Sequence, residues 1–264
     1  MAYLVGVIAS FLCIRLSLFF LDQSFSMYFD DVALAMVVGG TIAIGIVTLP
    51  WHNIGIFFSS LKKLLFHFAP SDKQVVKECL EFIKAKQENS NIQLSGNSIA
   101  KQLLRDGEEL ISLGFSIDEI QTILQERLFF IIQKEKETAQ FFTGLAKYPP
   151  AFGLVGTVLG LVNLMRAITE GLNPAETGIK MALALVATLY GLIVANFIIA
   201  PVGEGINKRV TVDQFQGEIC LQAVLLLAEN VSLLKSQEML NSFLTRDQRI
   251  DLIGSLVGAK RESA

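Results

Sequence analysis

Apolar residues along this chain collect in four runs, at 2–21, 32–50, 150–168 and 181–201. The runs form two close pairs with a long polar stretch, 51–147, between them. Each run is long enough to cross a hydrocarbon layer of roughly 30 Å as a helix. The polar stretch shows helical spacing and no period-two alternation. Ile54, Phe57, Phe58, Leu61, Leu64 and Leu65 make an amphipathic stripe that continues from the second run. Pro70-Ser71-Asp72 breaks it, and Ser71 with Gln74 predicts a capping box for the next helix. Val75, Val76, Cys79, Phe82 and Ile83 give that helix one apolar face, residues 87–97 are polar and loop-like, and a third helix is predicted over 98–113. Ser116 and Glu119 form a second capping box, with Phe115 and Ile120 placed as a hydrophobic staple. The helix after it is expected to run through Lys147 into the third run. The tail after Pro201 is helical through Leu225, Leu233, Leu240 and Phe243. The expected fold is therefore an all-α integral membrane protein: four transmembrane helices in two hairpins, with a helical cytoplasmic domain. Its parts are a first hairpin (1–50), a cytoplasmic domain (51–147), a second hairpin (148–201) and a helical tail (202–264).

Charge placement orients this layout. Among 22 Lys and Arg, only Arg15, Arg166 and Lys180 fall in the runs or the short loops between paired runs. Those loops instead carry Asp22, Asp30, Asp31, Glu170 and Glu176. Lys62–Lys63 and Lys208–Arg209 flank the runs on the other side. The positive-inside rule then puts both termini and the polar domain in the cytoplasm. The N-terminus has no basic leader region or A-x-A-like site, so the first run is expected to remain as a span. A mean hydropathy of +0.51 agrees with a membrane protein. Cys13, Cys79 and Cys220 are scattered without ligand spacing and are expected to be free thiols in a reducing compartment. His52 and His67 have no ligand-like companion, so neither an enzyme nor a metal site is expected. No cofactor and no nucleic-acid partner are expected either.

No Asp or Glu lies in any of the four runs. A cation path normally needs an ionisable or coordinating group at membrane depth. The candidates are hydroxyls and amides: Thr157 and Asn163 in the third run, Thr188, Tyr190 and Asn196 in the fourth. A lone threonine there is also satisfied by bonding back to its own helix. Small residues are dense, with Gly153, Gly156 and Gly160 in the third run and Ala184, Ala187, Gly191 and Ala195 in the fourth. They permit close helix approach, either within the hairpin or against a partner helix. Pro150 and Pro201 bracket the hairpin and mark either terminators or bends. Arg15 is expected to snorkel to headgroups.

The run from Pro149-Pro150 through Ala151-Phe152-Gly153-Leu154-Val155-Gly156-Thr157-Val158-Leu159-Gly160 resembles the third span of the MotA/PomA flagellar stator family. Met181 to Gly191, then Ala195-Asn196 and Pro201, resemble its fourth, and Val37-Val38-Gly39-Gly40-Thr41 its second. The resemblance implies a stator subunit in which five copies surround MotB/PomB-like single-span chains. Each such partner would supply an intramembrane Asp, and passage of H+ or Na+ past it would turn the pentamer against the rotor ring protein. It implies torque-linked roles for Pro150 and Pro201 and an ion-path role for Thr157 and Thr188. Ala187 replaces a threonine found in sodium-driven members, which leaves the coupling ion open between sodium and proton. Where the family carries an Arg and then a Glu for rotor contact, this chain has Lys86, and no acid stands beside Ser95. Lys84, Arg105, Glu108 and Glu109 are the other candidates for that contact. The alternative is an ExbB/TolQ-like energiser, which has three spans and its large loop after the first.

Overall fold

The structure, a computed structural model, describes residues 2–20, 28–49, 51–66, 70–88, 90, 98–171 and 173–251. Asp22, His67 and the stretch holding Leu94, Ser95 and Gly96 lie outside these residues. The described chain is helical, with no strand among its residues. Helices are α1 (Ala2–Phe20), α2 (Asp31–Thr48), α3 (Ile54–Phe66), α4 (Asp72–Gln87), α5 (Ile99–Ser112), α6 (Ile117–Leu145), α7 (Tyr148–Thr169), α8 (Pro174–Ile193), α9 (Ala200–Ala228) and α10 (Leu233–Asn241). The chain divides into two compact units, Met1–His67 with Lys134–Lys208, and Phe68–Gln133 with Arg209–Ala264.

The first unit holds the apolar helices. Asp31–Thr48, and stretches within 117–169 and 176–228, are long and apolar enough to cross a membrane. Asp30 caps α2, its carboxylate accepting from the N–H groups of Val32 and Ala33 at 2.8 and 3.2 Å. Gly40 on α2 meets the ring of Phe152 on α7 so closely that a Cβ there would fall 2.6 Å from the ring. Phe57 on α3 is buried, stacked on Phe142 at 5.2 Å and edge-on to Phe141 at 5.3 Å. The expected unbroken helix through Lys147 is not found: α6 stops at Leu145, and Ala146-Lys147 form a turn before α7. Pro149 and Pro150 explain the break. Lacking N–H groups, they leave the carbonyls of Leu145 and Ala146 without helical donors, and their rings crowd the preceding turn. In α7 itself the same prolines occupy the first turn, where the missing donor costs nothing.

The fourth apolar run begins earlier than its hydropathy suggests. Asn173 caps α8 by accepting from the N–H of Glu176 at 2.9 Å, so 174–180 are helical rather than loop. At the other end α8 passes into six π-helical residues, Val194–Ile199, before α9. Pro201 would clash with the carbonyl four residues back, and the wider π register relieves that clash.

The second unit is a helical cluster. Ser71 caps α4 by accepting from the N–H of Gln74 at 3.3 Å. The Gln74 side chain donates to Glu78 at 3.5 Å rather than to Ser71, so only half of the expected box forms. α5 ends in a Schellman turn: Gly114 takes φ +82°, and the N–H of Phe115 donates to the Leu110 carbonyl at 3.3 Å. The box opening α6 is complete. The N–H of Ser116 donates to Glu119 at 2.9 Å, and the N–H of Glu119 donates to the Ser116 hydroxyl at 3.4 Å. Ile120 is buried but Phe115 stays exposed, so the apolar half of the staple remains in solvent. Cys79 on α4 and Cys220 on α9, far apart in sequence, are both buried with sulfurs 3.5 Å apart. They are free thiols, and the hydrogen bond to Cys79, reinforced by burial, pushes the Cys220 thiol up well above its ordinary range.

The hydrogen bonds from the Ser116 hydroxyl and backbone hold the Glu119 carboxyl below its ordinary value. A carboxyl depressed in the native state adds stability that is full above the ordinary carboxylate pKa. That stability is lost as pH falls through the lowered value. Hydrogen exchange of the first-turn amides of α6, corrected for intrinsic rates, should therefore stay protected to below the ordinary carboxylate range. In Ser116→Ala the same amides should lose protection at neutral pH, and their pH dependence should move up; identical profiles would rule the box out.

Candidate ion-path hairpin

α7 and α8 pack closely against each other. The contact is backbone to backbone. A Cβ at Gly153 would lie 2.8 Å from the Ala187 carbonyl oxygen and 3.0 Å from Thr188 Cα. At Gly156 it would meet Ala187 Cβ at 2.7 Å, and at Gly160 Ala184 Cβ at 2.6 Å. At Gly191 it would lie 2.5 Å from the Pro149 carbonyl oxygen and 2.9 Å from Pro150 Cα. Of the two packing possibilities left open by the sequence, contact within the hairpin is the one these glycines make.

This approach brings Thr157 and Thr188 together, their hydroxyl oxygens 2.5 Å apart. Thr157 Oγ1 also lies 3.1 Å from both the Gly153 and Ala184 carbonyls, and Thr188 Oγ1 lies 3.4 Å from Gly153 O. Two hydroxyl protons serve this set. One closes the short contact between the threonines, and the other goes to a backbone carbonyl. The result is a cluster of four neutral oxygens at the helix seam. Such oxygens suit a hard cation or a water that relays a proton. Admitting a cation between the threonines requires their mutual bond to open. Ala187 is buried against Gly156 and brings no hydroxyl to the seam.

The other candidates are placed differently. The Tyr190 hydroxyl donates to the Tyr28 carbonyl and accepts from the N–H of Asp30 at 3.1 Å, which ties it to the start of α2. Asn196 lies exposed in the π segment, its Nδ2 donating to the Leu192 carbonyl at 3.1 Å. Asn163 lines an open cleft of 720 Å³ between α2, α7 and α8, together with Asp30, Arg166, Glu170 and Lys180. Pro150 sits at the start of α7 against Gly191, and Pro201 at the start of α9 beside the π segment. In the second unit Lys86 and Glu108 are bound to each other as an ion pair. Arg105 and Glu109 are exposed on α5. His52 lies 3.8 Å from Glu137, and no cluster of His, Cys, Asp or Glu fit for a metal exists among the described residues. Sequence reasoning missed the paired role of Asp30 and Tyr190. An Asp directly before an apolar helical run is a cap signal, but its partner 160 residues away leaves none.

A helical chain with apolar helices long enough to cross a membrane, and a seam of glycines and hydroxyls in runs without acid, is the class these features define. Residues 95–216 match the model of the MotA/TolQ/ExbB proton channel family. The chemotaxis protein PomA of Vibrio alginolyticus is 23% identical over 252 residues, covering 94% of this chain and 97% of the relative. Motility protein A of Aquifex aeolicus is 27% identical over 226 residues, covering 84% and 87%. The solved flagellar MotAB stator complex from Bacillus subtilis matches with a TM-score of 0.83 at 20% identity, over 96% of this chain and 100% of that one. Over most of its length the chain is similar to proteins named for motility and chemotaxis, and it shares the fold of a solved stator chain.

The Gly191 contact yields a direct test. Gly191→Ala adds one methyl against backbone, an overpacking that costs about 1–3 kcal/mol. The thermal midpoint of the purified complex should drop, whereas Gly178→Ala, where nothing lies within 4 Å of the added Cβ, should leave it unchanged. Equal midpoints for the two variants would remove the close approach from the account.

Proposed function

We propose that this chain is the membrane subunit of a bacterial flagellar stator, coupling cation flow to rotation. The observation that carries the reading is the Thr157–Thr188 oxygen cluster in a seam whose apolar run contains no acid. Such a wall accommodates an ion but cannot by itself bind and release a proton, so the acid must come from elsewhere. In this reading a MotB/PomB-like single-span partner supplies an intramembrane Asp facing the seam. Several copies of this chain, five in the family pattern, surround the partner helices. Each ion that neutralises the partner's carboxylate removes its charge from a low-dielectric setting, which alters its attraction for the neighbouring seam and lets the ring advance. Pro150, Pro201 and the π segment are the points where the hairpin's helices bend as this occurs. The rotor-facing groups are drawn from Arg105 and Glu109, with the Lys86–Glu108 pair beside them on the same helical unit. The placement of Lys and Arg supports an inner-membrane protein with both termini in the cytoplasm.

The energiser alternative is disfavoured by α2. α1 and α2 both precede the large polar stretch, and α2 packs on α7 and α8.

Two measurements test the proposal. Vesicles holding this chain alone should leak neither H+ nor Na+, whereas vesicles with chain and partner should conduct until the partner's Asp is changed to Asn; flux through the chain alone would refute the acid-free wall. The coupling ion is read from swimming speed across external sodium at fixed pH. If sodium is the ion, speed rises with sodium, and Thr157→Ala abolishes torque while the complex still assembles. Speed indifferent to sodium and collapsed by a protonophore assigns a proton motor and leaves both threonines as packing groups.

A further inference from the structure

Tyr190 does not join the oxygen cluster, although it sits on α8 only two residues beyond Thr188. Its hydroxyl is spent on the other helix of the cleft, donating to the carbonyl of Tyr28 and accepting from the N–H of Asp30. Both of its strong hydrogen-bonding capacities are thereby used on one three-residue stretch of backbone. That stretch launches α2, since Asp30 caps it through the N–H groups of Val32 and Ala33. Asp30, Val32 and Ala33 are also one wall of the 720 Å³ cleft, and Gly156, Gly160 and Ala187 on α7 and α8 form its floor. The same Ala187 touches the seam that closes over Thr157 and Thr188. This hydroxyl thus ties the start of α2, at the cleft's wall, to the helix that carries Thr188. Charged groups facing Asp30 at the mouth are the Arg166–Glu170 pair on α7, at 3.1 Å, and Lys180 on α8.

We propose that Tyr190 is a positioning residue that sets the mouth of the ion path by pinning the start of α2 to α8. This rests on the stator reading. With the latch intact, the cleft keeps one width, and an ion entering from the Asp30 end reaches the seam along a preformed route. Without it, the α2 start moves independently of α8, and ions find the open route for only part of the time. An ion then behaves as though its affinity were reduced by that fraction. The maximal rate, set by the seam and the partner's acid, is retained at saturation.

Tyr190→Phe removes the hydroxyl and keeps the ring. In cells expressing the full complex, swimming speed is measured against external Na+ at fixed pH, and against external pH at fixed Na+, using whichever ion drives the wild type. One neutral hydrogen bond contributes a factor of about three to ten. The concentration for half-maximal speed should rise by that factor, with maximal speed and complex stoichiometry unchanged. A purely structural role would instead lower the maximum or the yield of complex and leave half-saturation where it was; that result overturns the proposal. A second readout does not depend on motility. Ala33 is buried, so Ala33→Cys in a Cys13→Ser background should react slowly with a membrane-impermeant maleimide and faster once Tyr190→Phe is added. Equal labelling rates would also overturn the latch. Swimming that does not require this chain at all would defeat the stator reading, whereas normal wild-type dependence with an unshifted Tyr190→Phe defeats the latch alone.

Discussion

Everything at the hairpin depends on the distance between the backbones of α7 and α8. In a bilayer a hydroxyl has no water to fall back on, so its proton must find an acceptor within the protein. Thr157 and Thr188 solve this for each other only because Gly153 lets α7 approach the Ala187–Thr188 peptide. A side chain at Gly153 would part the helices and leave two hydroxyls to bond back to their own turns. The oxygen cluster would then cease to exist as a unit. The glycines are therefore the means by which two ordinary threonines come to bond each other.

The same economy governs the hairpin's other end. Pro149 and Pro150 deprive α6 of donors, and Pro201 pushes the α8–α9 junction into π register. Both chain passages thus have an interrupted hydrogen-bond ladder close to Gly191, whose backbone touches Pro149 and Pro150. A helix whose ladder is continuous resists bending, and one whose ladder is interrupted bends at the interruption. Rigid packing along the glycine seam and compliance at its proline end are properties of one short sequence.

The apolar runs were legible because membrane crossing imposes a length and a composition, and the caps because they are local. Ser71, Ser116 and Glu119 lie within four residues of the groups they bind. What escaped was either a boundary or a distant pairing. The turn at Ala146-Lys147 follows from two prolines, yet the helical periodicity on either side masks it. The early start of α8 was hidden by Glu176 and Lys180, polar residues that hydropathy assigns to a loop. Cys79 with Cys220, Lys86 with Glu108 and Tyr190 with Asp30 are each brought together by tertiary structure alone. For Thr157 and Thr188 the sequence offered similar depth on paired helices, but a contact of 2.5 Å needed the glycine register to be known. The Gln74 side chain shows the converse limit: the motif was present, and a neighbouring glutamate took the donor instead.

Exposed apolar surface does not by itself argue for an assembly here. Val5, Ile8, Leu12 and Phe19 of α1 are all largely exposed, but lipid covers such a helix as well as protein does. The stronger sign of incompleteness is chemical. The hairpin sets glycines, a proline-interrupted end and a paired hydroxyl seam in apolar runs that hold no Asp or Glu. An ion passing such a surface alone would do no work on it, because nothing there binds in one state and releases in another. Work requires a titrating or ion-binding charge on one side of the contact and a structured, neutral wall on the other. Thr157 and Thr188, neutral and hydrogen-bonded to each other, have the character of such a wall.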